Sequence, residues 1–169
     1  MCSSDMCDLE AQRLVAFASA HGLTVATAES CTAGRVAAVV GGVPGASEVL
    51  RGGAVTYVNE IKHRVLGVSE KTLATVGAVS ERCACEMAAG ARALFGSDAA
   101  VSITGFAGPG GGTADNPVGT VYLGIADQDG ARAVRRHFNG DRDDVRWQAT
   151  MEGLRLLRSS CEDIVLSRG

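Results

Sequence analysis

Residues 99–104, Ala-Ala-Val-Ser-Ile-Thr, carry no charge and no large polar side chain. They stop at Gly105-Phe106-Ala107-Gly108-Pro109-Gly110-Gly111-Gly112-Thr113. A strand of this apolar character is expected to be central and buried on both faces, so other elements must cover it from both sides. That requirement excludes a sheet with one wet face. The flanking sequence supplies the cover. Residues 8–21 place Leu14, Phe17, Ala18 and His21 at helical spacing and stop at Gly22. A short strand is expected over 23–28, a helix over 32–40 ended by Gly41-Gly42, a strand over 53–58 and a short helix over 59–64. Ser69 and Ser80 read as N-caps, the second opening a helix to Phe95 that closes at Gly96. Strands over 118–126 and 131–138 flank a hairpin turn at Asp127-Gln128-Asp129-Gly130. A final helix runs from Asp141 or Asp143 to about Arg158, with Trp147, Met151 and Leu154 on its stripe. Alternation first and a hairpin later predict an α/β fold: a three-layer α/β/α sandwich with a mixed central sheet.

With 169 residues the chain is expected to form a single domain, 1–169, with residues 1–7 as a flexible N-terminal tail. Aromatics are only 4%, so the core is built from Ala, Val and Leu. A net charge of -3 without a basic stripe argues against direct nucleic-acid binding. No apolar run approaches the roughly twenty residues of a membrane span. The first residues lack a basic start and an apolar segment, so the expected location is cytoplasmic. The six cysteines (2, 7, 31, 83, 85 and 161) show no C-x-x-C spacing. They are expected as free thiols, with no metal site.

Candidate chemistry clusters at a few junctions. Ser30 follows the first strand and precedes a helix, where unpaired N–H groups and the positive dipole end can hold a developing oxyanion. A serine there is either a cap or a nucleophile. Of the sixteen basic residues all but Lys62 and Lys71 are arginine. A lysine, unlike an arginine, can lose its proton when desolvated and serve as a base. Lys62 lies about one turn past the strand that ends near Tyr57, so both could face one pocket. Cys31 with His63 is an alternative nucleophile and base; His21 and His137 are placed poorly for that role. The glycine-rich loop matches neither a Walker motif nor a dinucleotide fingerprint, yet loops at the carboxyl ends of sheet strands are where such folds bind ligands. Arg142 and Arg146, four apart, could both contact a phosphate or merely pair with neighbouring acids.

Several segments together resemble one family: Ala26-Thr27-Ala28-Glu29-Ser30-Cys31-Thr32-Ala33-Gly34, Val55-Thr56-Tyr57-Val58-Asn59-Glu60-Ile61-Lys62, Gly77-Ala78-Val79-Ser80, Thr104 through Gly112, and Gly140-Asp141-Arg142. Over residues 8–160 the chain is similar to the CinA C-terminal domain family, whose enzymatic members are nicotinamide-nucleotide amidases. The form resembled is the stand-alone one, without the large N-terminal domain of longer members. The resemblance implies hydrolysis of nicotinamide mononucleotide (NMN) to nicotinate mononucleotide and ammonia, with no metal or organic cofactor. It implies Ser30 as nucleophile, Lys62 as base and Tyr57 as the group that relays or positions the proton. Backbone near Cys31 and Thr32 would hold the oxyanion, and Gly34 is a further substrate-binding residue. Thr104, Gly105, Ala107 and Gly108, with Arg142 and Arg146, would take the rest of the nucleotide. A homodimer or higher even oligomer is expected. Ala33 stands where the family usually has glycine. A non-catalytic nucleotide-binding member and an amidase acting on a different amide remain open.

Overall fold

The computed structural model describes residues 4–169. Five strands form one mixed sheet in the order β2-β1-β3-β4-β5: β1 Val25–Glu29, β2 Leu50–Val55, β3 Ala99–Gly105, β4 Thr120–Asp127 and β5 Gly130–His137. β1 pairs in parallel with both β2 and β3, and β3-β4-β5 is antiparallel. The expected central strand is central, buried along Ala99–Thr104.

The alternating side chains of the inner strands explain the two helical layers. Val25, Val101, Ile103, Val121, Leu123 and Ile125 point to one face, where α1 (Ser4–Ala20), α2 (Arg35–Gly41) and α6 (Arg142–Arg168) form the larger core. The opposite face carries Ala26, Ala28 and Ala100, covered by Cys83, Met87 and Ala91 of α5 (Glu81–Phe95) and by Leu66 and Val68. Small side chains let α5 lie close to the sheet: the Ser102 hydroxyl donates to the Ala84 carbonyl at 2.6 Å. Two short helices, α3 (Asn59–Leu66) and α4 (Glu70–Thr75), complete that layer.

The structure corrects several expected boundaries. Residues 4–7 are the first turns of α1 and not a tail, because Cys7 is a fully buried member of its apolar stripe and its thiol reaches the Trp147 carbonyl on α6. Residues 1–3 lie outside the described residues, as does Cys2. β2 begins three residues earlier than expected, since Gly52 and Gly53 are strand residues: a Cβ on Gly52 would sit 2.6 Å from the Phe95 ring. α6 continues ten residues past Arg158. Its serine pair does not end it, because Ser160 is satisfied by Asp127 at 2.9 Å. The five other cysteines are free thiols.

Candidate active site

The parallel strands β1, β2 and β3 finish side by side, with Glu29 in register with Val55 and Ile103. The residues that follow therefore meet at one edge of the sheet. Ser30 N–H donates to the Ile103 carbonyl at 2.9 Å, and Thr56 N–H to the Glu29 carbonyl at 2.9 Å. These two bonds carry the ladder one step beyond the strands and fix the backbone on which Ser30 stands.

Beyond Ser30 the chain makes a tight turn, closed by the Ala33 N–H on the Ser30 carbonyl at 3.0 Å. Two left-handed residues follow, Ala33 (φ 53) and Gly34 (φ 91). The helix therefore starts at Arg35 and not near Thr32. Its first N–H groups are already occupied. The fully buried Glu29 carboxylate accepts from Gly34 at 3.0 Å, Val36 at 3.1 Å and Ala37 at 2.9 Å. A fixed negative charge thus fills the helix start expected to receive an oxyanion. What remains unclaimed is the turn itself: neither Cys31 N–H nor Thr32 N–H donates to another described residue.

Lys62 comes from α3 on the opposite side. Its side chain is 1% exposed, and its Nζ lies 3.0 Å from Ser30 Oγ, 2.7 Å from the Thr56 carbonyl and 3.4 Å from the Tyr57 carbonyl. Burial lowers its pKa below the ordinary 10.5, while the neighbouring Cys83 and Cys31 oppose the shift. As an ammonium Nζ can donate to all three oxygens, and once deprotonated it could keep the two carbonyls and turn a lone pair to the serine O–H. No carboxylate is paired with it.

The other expected bases and nucleophiles are engaged differently. His63 Nδ1 is engaged by the Val68 carbonyl at 2.8 Å. Burial pushes the Cys31 thiol up to about 11, the reverse of an activated thiolate. The Tyr57 side chain is half exposed, and its hydroxyl accepts from Arg142 Nη2 at 2.9 Å. Tyr57 bonds to Lys62 through its carbonyl, and its hydroxyl bonds to Arg142 and not directly to the amine.

A cavity of about 220 Å³ opens over Ser30 and Lys62, and Cys31, Tyr57, Thr104, Gly105, Ala107, Gly108 and Arg142 line it as expected. A second cavity, about 440 Å³, adjoins it through Ala107, Gly108 and Arg142. The glycine loop between them leaves the Ala107, Gly108 and Gly110 N–H groups without a backbone acceptor. Arg142 also donates to the Gly108 carbonyl at 2.8 Å and so ties the loop to the start of α6.

The CinA C-terminal domain model matches residues 8–161. The chain belongs to the CinA C-terminal domain family. A CinA-like protein of Anaeromyxobacter sp. (strain K) is 53% identical over 145 residues, covering 86% of this chain and 36% of that protein. A CinA-like protein of Geobacter metallireducens is 50% identical over 137 residues, covering 81% of this chain and 33% of that protein. The chain thus spans about a third of the length of these curated relatives. Among solved structures, the competence/damage inducible protein CihA from Agrobacterium tumefaciens superposes with a TM-score of 0.88 at 38% identity, covering 92% of this chain and 95% of that one. A CinA superfamily protein from Klebsiella pneumoniae gives 0.89 at 34%, with 93% and 98% covered.

Three expected binding residues of this CinA domain do not line the cavity. Thr32 is fully buried. Gly34 spends its N–H on Glu29, and a Cβ there would meet Val55 at 3.2 Å. Arg146 points at the nucleophile turn, donating to the Cys31 carbonyl at 3.0 Å and the Thr32 carbonyl at 3.1 Å. Conversely, Asn59, Ala78, Val79, Phe106 and Gly110 line the cavity without having been singled out. All five sit inside the segments that carry the family resemblance. Glu29 was also missed, because the N–H groups that its carboxylate binds lie five to eight residues onward. Among the described residues no group of three or more His, Cys, Asp or Glu could hold a metal ion, and no helix is long and apolar enough to cross a membrane.

Proposed function

We propose that this CinA domain is an amidohydrolase that converts NMN to nicotinate mononucleotide and ammonia. The observation that carries this reading is the buried Lys62 amine, 3.0 Å from Ser30 Oγ, with carbonyls and no carboxylate as its other partners. Lys62 takes the Ser30 proton as Oγ attacks the carboxamide carbon, and the turn N–H groups face the oxyanion. The tetrahedral intermediate expels ammonia, which takes a proton from the Lys62 ammonium and leaves an ester on Ser30. Water then attacks that ester and gives a proton to Lys62. Ser30 Oγ departs, recovers the proton, and the carboxylate product is released.

The free amides of the glycine loop and the Arg142 guanidinium supply positive potential where the two cavities meet, which suits the 5′-phosphate. Arg146 is already committed to the turn and is no longer assigned to the phosphate. The deciding assay follows ammonia and nicotinate mononucleotide from NMN, with Ser30→Ala as control. Turnover that disappears in Ser30→Ala is the expected result. Turnover that persists in the control would move the nucleophile elsewhere. A folded wild type that releases no ammonia would overturn the NMN assignment.

A further inference from the structure

The turn after Ser30 is held from two sides by opposite charges. Glu29 takes the N–H groups that follow it, at Gly34, Val36 and Ala37. Arg146, reaching across from α6, takes the two carbonyls within it, Nε to Cys31 and Nη2 to Thr32. The guanidinium fork suits this task, since its planar donors can span two adjacent carbonyls in one fixed geometry. Asp143, 3.7 Å away on the same helix, steadies it.

The consequence lies on the other side of the peptide planes. In a trans peptide the N–H points opposite to the carbonyl of the same unit. Pinning the Cys31 carbonyl toward α6 turns the Thr32 N–H away from α6. The bond from Ala33 N–H to the Ser30 carbonyl fixes the Cys31 N–H in the same manner. Neither of these two N–H groups donates to another described residue, and Cys31 is the turn residue that lines the cavity beside Ser30.

We propose that Arg146 is a positioning residue: by holding the Cys31 and Thr32 carbonyls it keeps the turn in the shape that presents the backbone N–H of Cys31 as an oxyanion donor for an attack by Ser30. It contacts no substrate. This deepens the amidase reading and rests on Ser30 being the nucleophile, though not on NMN being the substrate. A ligand-binding arginine would govern affinity, whereas a positioning arginine governs the rate of the covalent step.

The test uses an alkyl fluorophosphonate and needs no NMN. Ser30 Oγ attacks phosphorus, fluoride leaves, the serine proton passes to Lys62, and the developing phosphoryl oxyanion seeks the same donors. The full chain is labelled at several pH values as wild type, Ser30→Ala, Arg146→Ala and Arg146→Lys. Thermal melts identify which of them are folded. Wild type labels on Ser30 and Ser30→Ala does not. Arg146→Ala labels about 100-fold more slowly, as expected when an oxyanion donor is misplaced. Its rate plateau falls while the apparent pKa of the profile, set by Lys62, stays in place. Arg146→Lys, which cannot span both carbonyls with a fixed fork, recovers only part of the rate.

If Arg146→Ala does not fold, the same comparison with Arg146→Lys decides. Labelling within about threefold of wild type in a folded Arg146 variant overturns the inference, as does a shift of the pKa without a lower plateau. Absence of labelling in the wild type overturns both this inference and the serine mechanism. A wild type that labels but does not hydrolyse NMN removes the substrate assignment alone and leaves the Arg146 comparison in force.

Discussion

Replacing Lys62 by methionine separates what this side chain does for the reaction from what it costs the fold. The side chain is 1% exposed, so methionine of similar length enters without new surface. The two short polar contacts, 2.7 Å to the Thr56 carbonyl and 3.0 Å to Ser30 Oγ, are lost. At about 1 kcal/mol net each they amount to about 2 kcal/mol. Removing a buried amine returns about 1–3 kcal/mol of desolvation. The two roughly cancel where the wild-type amine is neutral in folded and unfolded chains alike, at and above its ordinary pKa of 10.5. Below that pH the unfolded lysine binds a proton that the folded one, with its lowered pKa, does not. Wild-type stability therefore falls as pH drops from 10.5 toward the folded pKa, by at most about 1.4 kcal/mol per pH unit for one proton. Below the folded pKa the penalty is complete and constant. Lys62→Met has no such slope. Urea unfolding of both chains from pH 7 to pH 10 should show the variant at least as stable as wild type at pH 7. Its advantage should shrink as pH rises, while all other titrations cancel in the difference. Ammonia release should fall by at least about 10³-fold. A stability difference that does not change with pH would refute the desolvated lysine.

Three further substitutions test the site and its support. Tyr57→Phe removes a hydroxyl bound to Arg142 and keeps the carbonyl that Lys62 uses, so kcat should drop less than about tenfold. A loss of about 10² or more would restore a hydroxyl relay. Ala33→Gly relieves a left-handed alanine at φ 53, about 1–2 kcal/mol, against about 0.4–1 kcal/mol of added chain entropy. Its melting temperature should rise by a few degrees, and a fall would contradict the strain. Gly124→Ala places a Cβ 2.2 Å from the Ala84 carbonyl and must lift α5 off the sheet. About 3 kcal/mol, read as a melting point about 6–12 °C lower, is expected.

The layered fold was legible because its central strand declares itself: nothing but burial on both faces tolerates Ala99 through Thr104. Ser30 and Lys62 were legible for a chemical reason, a serine at a strand end and a lysine in a chain that otherwise uses arginine. The division of labour among the arginines was not. Arg142 and Arg146 are four apart on one helix and equivalent by spacing. One faces the loop and Tyr57 and the other the nucleophile turn, because 3.6 residues per turn offset positions four apart by about 40° and their partners lie in segments that follow different strands. Glu29 was invisible as a cap because its ligands are N–H groups five to eight residues onward. Their convergence depends on two left-handed residues that sequence spacing does not display.

Those two left-handed residues also explain why three groups of differing charge can serve one hydroxyl without neutralising one another. Had the helix begun directly after Ser30, its dipole and first N–H groups would face the cavity and the buried Glu29 would have no partners. Delaying the helix to Arg35 lets Glu29 satisfy its carboxylate inside the fold, on the far side of the turn from Lys62. The lysine consequently meets carbonyl dipoles and a hydroxyl, and burial is free to lower its pKa. A direct ion pair between Glu29 and Lys62 would stabilise the ammonium and remove the base. The tight turn, the strained Ala33 and the Arg146 clamp are then parts of one arrangement, which keeps a carboxylate one residue from the nucleophile out of the general base's reach.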